Sequence, residues 1–136
     1  MSKTVKRIQT LDVTLPTEPG AMGRVFGIFR EANVDVVATW GYEMGPNQGQ
    51  AHFLVQDVEL ARKTLTQAGL NPTTTDAIWM ETDNKIGPYA ETLTTLGKAG
   101  LNIGATDAFA IGNRFATVIF PADVTDFPKF CTTLGI

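Results

Sequence analysis

The chain has 136 residues, of which 43% are hydrophobic, and its net charge at pH 7 is −3. This length accommodates one ordinary domain or two very small ones that share a core, and the acidic balance argues against a nucleic-acid partner. A single cysteine and a single histidine exclude an intrachain disulfide and a zinc site. No apolar stretch approaches the ~20 residues of a membrane span. We therefore expect a cytoplasmic protein without metal, cofactor or membrane association.

Hydrophobic periodicity predicts alternating strands and helices along the first half of the chain. Apolar residues alternate over Leu11–Leu15, which is typical of a half-buried strand, and the segment 16–20 interrupts that strand. The spacing then becomes helical. The predicted elements are strand 11–15, helix 22–32, strand 36–44, strand 51–55, helix 58–68 closed by Gly69, and a strand-like run from Thr73 to Thr82.

The second half of the chain repeats this pattern. A shift of 67 places Gly20 on Gly87, and the same shift holds up to Thr39 and Thr106. A shift of 66 then places Gly69 on Gly135. Since apolar positions, glycines and element order all agree, we interpret the chain as an internal repeat of one structural unit.

Each unit has the order of a ferredoxin-like βαββαβ fold, an α+β architecture with an antiparallel sheet and both helices on one face. We predict two such units in tandem, over residues 5–74 and 75–136, with the strand at about 73–82 shared or continuous between them. The chain stops where the last strand of the second unit should begin. We therefore expect that unit to lack its last strand and to leave a sheet edge unpaired, which favours association with another chain.

The junction between the first strand and the first helix of each unit resembles that of the ACT domain, a ligand-binding module of amino-acid metabolism. ACT domains carry Asp/Asn-x-Pro-Gly there; this chain has Thr17-Glu18-Pro19-Gly20 in the first unit and Asn84-Lys85-Ile86-Gly87 in the second. The resemblance, which covers both repeats, implies a free-standing tandem ACT protein with no catalytic residues. It further implies that an amino acid binds between this loop and a strand of a neighbouring domain, and that the protein regulates an enzyme of amino-acid metabolism.

The loops and one acidic residue supply the candidate ligand-binding residues. Glycine allows the backbone to approach a ligand, and the N–H groups at a helix N-terminus suit a carboxylate. Asp107 interrupts an apolar series and is a candidate for contact with a ligand ammonium. The candidates are Thr17, Gly20, Asn84, Ile86, Gly87 and Asp107. The alternative is that the loop residues only form turns and caps, and that Asp107 faces solvent from a bulge or strand end.

Other residues have more ordinary interpretations. We expect His52 on the open face of the sheet, at a surface or interface, and Cys131 in the core. Trp40 and Tyr42 suit core packing, although both residue types also line pockets. We expect a homodimer. Two alternatives to a ligand-binding regulator remain. One is a ligand-free dimerisation module. The other is an acylphosphatase-like hydrolase, because the segment Gly23–Arg30 partly resembles the glycine-rich phosphate loop of acylphosphatases.

Overall fold

The computed structural model describes residues 3–136. Within that range the chain forms six strands, four α-helices and one 3₁₀ turn. The elements are β1 (Thr4–Leu15), α1 (Ala21–Glu31), β2 (Val36–Glu43), β3 (Gly49–Val55), α2 (Val58–Gln67), β4 (Thr73–Asp83), α3 (Gly87–Lys98), β5 (Ile103–Ile111), β6 (Arg114–Pro121), the 3₁₀ turn Val124–Asp126, and α4 (Phe127–Leu134). The α+β class and the ferredoxin-like element order are confirmed.

The chain divides into two compact units whose limits fall inside β1 and β4. The first unit is Gln9–Thr75, and the second combines residues 3–8 with Asp76–Ile136. In the first unit the strand order is β2-β3-β1 followed by the start of β4. β3 pairs antiparallel with both of its neighbours, so that Phe53 lies opposite Leu11 on one side and opposite Thr39 on the other.

The second unit has the strand order β5-β6-β4 followed by the start of β1. Residues 135 and 136, which follow α4, are not extended. The expectation of an unpaired edge beside β4 is corrected, since the beginning of β1 is the neighbour of β4. Val5 of that segment packs against the second unit's core, and Arg7 Nη2 donates to the main-chain oxygen of Ile136 at 3.0 Å. The edge strand that remains in this unit is β5.

Each unit has its own apolar core between its strands and its two helices. In the first unit, Phe26, Phe29 and Phe53 meet edge to face with ring centroids 5.1–6.1 Å apart. The second core is centred on Ile78, Leu96 and Phe130, each fully buried. Because α1 contacts α2 and α3 contacts α4, both helices of a unit cover the same side of its strands.

Backbone irregularities recur at equivalent positions of the two repeats. The pairing register shifts between Val36 and Ala38 in β2, and at the same place in β5, between Ile103 and Ala105. The helices α2 and α4 are both followed by a left-handed glycine, Gly69 (φ 88°) in one case and Gly135 in the other (φ 76°). These shared bends show that the repeat in the sequence is also a repeat of backbone geometry. In the described part of the chain, no helix has the length and apolar character needed to cross a membrane.

Candidate functional site

A pocket of about 470 Å³ lies in the first unit, where β1 gives way to α1. Its walls are the loop 16–20, the first turn of α1, and the facing ends of β2 and β3. The two candidate residues of the first loop, Thr17 and Gly20, both line this pocket. The structure therefore brings these two residues to one concave surface, whereas sequence periodicity had placed them only in a turn.

Gly20 begins α1 in a conformation that favours glycine. Its φ of 87° is left-handed, and it stands at the N-cap of α1, where it has no side chain that could accept a hydrogen bond from the first helical turn. Its carbonyl oxygen accepts from the Arg24 N–H at 2.9 Å, which opens the helix. The first N–H groups of a helix have no partner within the helix, and the helix dipole is positive there. This wall of the pocket consequently suits an anionic group.

The strands that form the floor of the pocket contribute two glycines to its lining, Gly41 and Gly49. Gly41 is opposite Ala51 in the β2–β3 pair, and Gly49 is opposite Leu15 in the β1–β3 pair. A Cβ atom at Gly41 would lie 3.1 Å from the Gln50 carbonyl oxygen, and one at Gly49 would lie 3.0 Å from the Leu15 carbonyl oxygen. Both glycines thus lie against the backbone of an adjacent strand.

The charged residues of the pocket lining are both acidic. Glu18 forms an ion pair with Arg24 at 3.2 Å, but both side chains are more than half exposed, so the pair contributes little to stability. Glu43 is the last residue of β2 and also lines the pocket. A pocket with helix N–H groups and carboxylates has complementary positions for a ligand that carries both an anionic and a cationic group.

The other four candidates lie in the second unit, away from this pocket's lining. Asn84 donates its backbone N–H to the Asn113 carbonyl oxygen at 2.8 Å, and the Ile86 side chain is 86% exposed. Gly87 begins α3 without a left-handed φ, and an added Cβ would meet no atom within 4 Å. Asp107 is exposed on the edge strand β5, opposite Val118. The backbone of this second loop therefore does not require the glycine that it contains.

The remaining residues singled out in the sequence have varied outcomes. Cys131 is 1% exposed, as predicted, and burial raises the pKa of its thiol. Tyr42 is 48% exposed and belongs to the pocket lining, so for this residue core packing is wrong and the alternative of a pocket residue is correct. The segment Gly23–Arg30 is part of α1 and does not form a phosphate-binding loop. Among residues 3–136, no group of three or more histidine, cysteine or acidic side chains is arranged to hold a metal ion.

Sequence reasoning missed the small residues of the floor and the hydrogen-bonding partners of His52. Alternation placed His52 on the open sheet face, but only the register reveals that Asp12 stands directly opposite it. The His52 Nδ1 atom is 2.6 Å from Asp12 Oδ1, and its Nε2 atom is 3.0 Å from the Tyr42 hydroxyl oxygen. The sequence feature that could have indicated this cluster is that residues 12, 42 and 52 all lie on the face of the sheet that points away from the core.

Comparison with solved structures finds the same fold along nearly the whole chain. Protein BT0572 from Bacteroides thetaiotaomicron is 21% identical, with 96% of this chain and 90% of that one covered, at a TM-score of 0.82. The ligand-free regulatory subunit of aspartate kinase from Thermus thermophilus is 16% identical, with coverage of 99% and 96% and a TM-score of 0.66. The corresponding subunit from Thermus flavus is 14% identical, with coverage of 99% and 95% and a TM-score of 0.63.

Comparison with proteins of curated function finds no match. The family described as "ACT domain pair" matches residues 6–132. This match extends over both repeats and includes the two junctions that resembled the ACT motif. The chain therefore belongs to the ACT domain pair family.

Proposed function

We propose that this protein is a regulatory module that binds an amino acid in the pocket of the first unit. The observation that carries the proposal is that one cavity is lined both by the N-terminus of α1, which begins at Gly20, and by Glu43 at the end of β2. The α-carboxylate of the ligand would accept hydrogen bonds from the first turn of α1. Its ammonium group would lie toward Glu43, and the space over Gly41 would hold its side chain.

A likeness in fold to the regulatory subunits of aspartate kinases supports a regulatory role. ACT domains are regulatory modules, and the match to a pair of them supports an action on an enzyme rather than catalysis by this chain. We infer that the partner is an enzyme of amino-acid metabolism. The ligand would bind between the loop and the strand ends. It can change the module's affinity for the partner enzyme only if it binds one conformation of the module more tightly than another.

The experiment is a calorimetric and thermal-shift screen of the protein against the twenty amino acids. At about 100 times its Kd, a true ligand should raise the free energy of unfolding by ~2.7 kcal/mol. Glu43→Gln should weaken binding at least about tenfold, because it removes the charge that faces the ammonium. Glu31→Gln, at the exposed end of α1 and outside the pocket lining, is the matched control and should bind as the unchanged protein does.

Two results would contradict the proposal. If no amino acid changes the melting temperature, the ligand-free dimerisation module becomes the better description of the protein. If an amino acid binds but Glu43→Gln and Glu31→Gln have equal affinities, the ligand does not occupy this pocket.

A homodimer is part of this proposal, although the edge beside β4 no longer supports it. The supporting observation is β5, the edge strand of the second unit, in which residues 104–111 are all exposed. Phe109 and Ile111 on this strand are 40% and 75% exposed. An edge strand with open backbone groups and exposed apolar side chains is a template for pairing with another strand, and a second copy of the same strand would bury both features.

A further inference from the structure

Three side chains on the open face of the first unit form a continuous hydrogen-bonded chain. Asp12 and His52 are directly opposite each other on β1 and β3, and Tyr42 on β2 is the diagonal neighbour of His52. The His52 Nδ1 atom is 2.6 Å from Asp12 Oδ1, and the Tyr42 hydroxyl oxygen is 3.0 Å from His52 Nε2. This series of hydrogen bonds runs from a buried carboxylate through an imidazole to a phenol.

The buried end of this chain is held firmly. Asp12 is 7% exposed and accepts hydrogen bonds from the Thr10 hydroxyl, at 2.9 Å, and from the Thr75 hydroxyl, in addition to His52. A carboxylate with three donors keeps its position and can only accept from the imidazole. In neutral His52, the Nδ1–H therefore donates to Asp12, and Nε2 is left as the acceptor for the Tyr42 O–H.

Aromatic neighbours fix the plane of the imidazole ring. Trp40 stacks against His52 with ring centroids 5.8 Å apart at an interplanar angle of 21°. Tyr42 also lies nearly parallel to it, at 5.5 Å and 29°. The His52 side chain is only 15% exposed, whereas Tyr42 is 48% exposed. The imidazole is thus largely enclosed, and Tyr42 is the most exposed of the three hydrogen-bonded residues.

We propose that Tyr42 is an activated nucleophile that accepts an acyl group from an activated acyl compound, such as an aryl ester, thioester or acyl phosphate. A hydroxyl bonded to a base that is in turn oriented by a third group is the arrangement that activates hydroxyl nucleophiles. The phenol oxygen forms a bond to the acyl carbon while its proton passes to His52 Nε2. The bond from that carbon to the leaving group breaks, and the leaving group departs with its electron pair. The products are an O-acyl-Tyr42 ester, the released leaving group, and an imidazolium paired with Asp12, which returns its proton to solvent.

The protein contains its own control for this reaction, because Tyr89 is the second of its two tyrosines. The Tyr89 hydroxyl is 2.8 Å from Thr106 Oγ1, and that partner is a hydroxyl rather than a base. With 4-nitrophenyl acetate as the probe, peptide mapping by mass spectrometry should find the acetyl group on Tyr42 at least about tenfold sooner than on Tyr89. Equal rates at the two tyrosines would overturn the proposal.

Variants separate the roles of the phenol and the imidazole. Tyr42→Phe should remove the rapid phase of nitrophenolate release, and Tyr89→Phe should leave it unchanged. If the rapid phase persists in Tyr42→Phe, His52 itself or another group is the nucleophile and the proposal is wrong. His52→Gln retains hydrogen-bonding groups but accepts no proton, so it should slow acetylation of Tyr42 to the rate of Tyr89. Circular dichroism establishes that each variant is folded. An unchanged rate in folded His52→Gln would show that Tyr42 is not activated by its neighbour.

Discussion

Gly104 lies so close to Ala122 that a Cβ atom added to it would be 2.9 Å from the Ala122 Cα atom and 3.0 Å from the Pro121 carbonyl oxygen. This approach occurs where the register shifts in β5, beside its partner strand β6. The position equivalent to Gly104 in the first repeat is Val37, whose side chain is 51% exposed. The two repeats therefore share the bulge, but only the second one requires a glycine in it.

From this contact we predict that Gly104→Ala destabilises the protein by about 1–3 kcal/mol, because neighbouring backbone has to move to admit the methyl group. The control is Gly27→Ala in the middle of α1, where an added Cβ would meet nothing within 4 Å. That change should stabilise the protein by about 0.5–1 kcal/mol. Urea unfolding measures both values, and a Gly104→Ala variant as stable as the unchanged protein would contradict the prediction.

We predict that the two loop glycines respond differently to substitution. Gly20→Ala should cost about 1–2 kcal/mol because a left-handed φ of 87° is unfavourable for alanine. Gly87→Ala should be neutral or slightly stabilising, since it is helical and unobstructed. Guanidinium unfolding of the two variants in parallel measures this difference. Equal losses of stability would show that the backbone at Gly87 is as constrained as that at Gly20.

A positive charge introduced on the edge strand β5 should prevent self-association. We predict a dimer in sedimentation velocity at micromolar concentration, and its loss in Ile111→Lys, because lysine on an edge strand opposes pairing with a second strand. Val124→Lys alters a side chain of the same unit that is 69% exposed and lies outside β5, so this variant should remain dimeric. A species of 14.7 kDa for the unchanged protein would refute the dimer.

The buried thiol of Cys131 should make stability fall at alkaline pH. Burial raises the pKa of this thiol above its ordinary value. The unfolded chain then loses its proton at a lower pH than the folded protein, so the free energy of unfolding decreases as pH rises above about 8.5. Cys131→Ala should be less stable because of the cavity that it creates. Its free energy of unfolding should not show the decrease at alkaline pH that the thiol causes. Urea unfolding between neutral and alkaline pH compares the two slopes, and identical slopes would contradict the prediction.

Local patterns in the sequence determined the element order, the repeat and the class of fold. Alternation over Leu11–Leu15 and helical spacing over 22–32 depend only on which residues must be buried, and burial is what organises each unit around its core. The junctions at Gly20 and Gly87 could be found because turns and helix starts have characteristic residues. The same local information carried the resemblance to the ACT domain, which the match over residues 6–132 confirmed.

Tertiary structure alone decided the features that depend on strand register and long-range pairing. The neighbour of β4 in the second unit is the start of β1, a segment far away in sequence, and no local pattern specifies that choice. The pocket depends on Gly41 and Gly49 meeting residues of adjacent strands, and the Asp12–His52 contact depends on one particular register. A shift of register by one residue would reverse the faces and separate that pair, because side chains alternate along a strand. Sequence thus indicated which strands and helices enclose a core, and pairing between strands determined which polar groups meet.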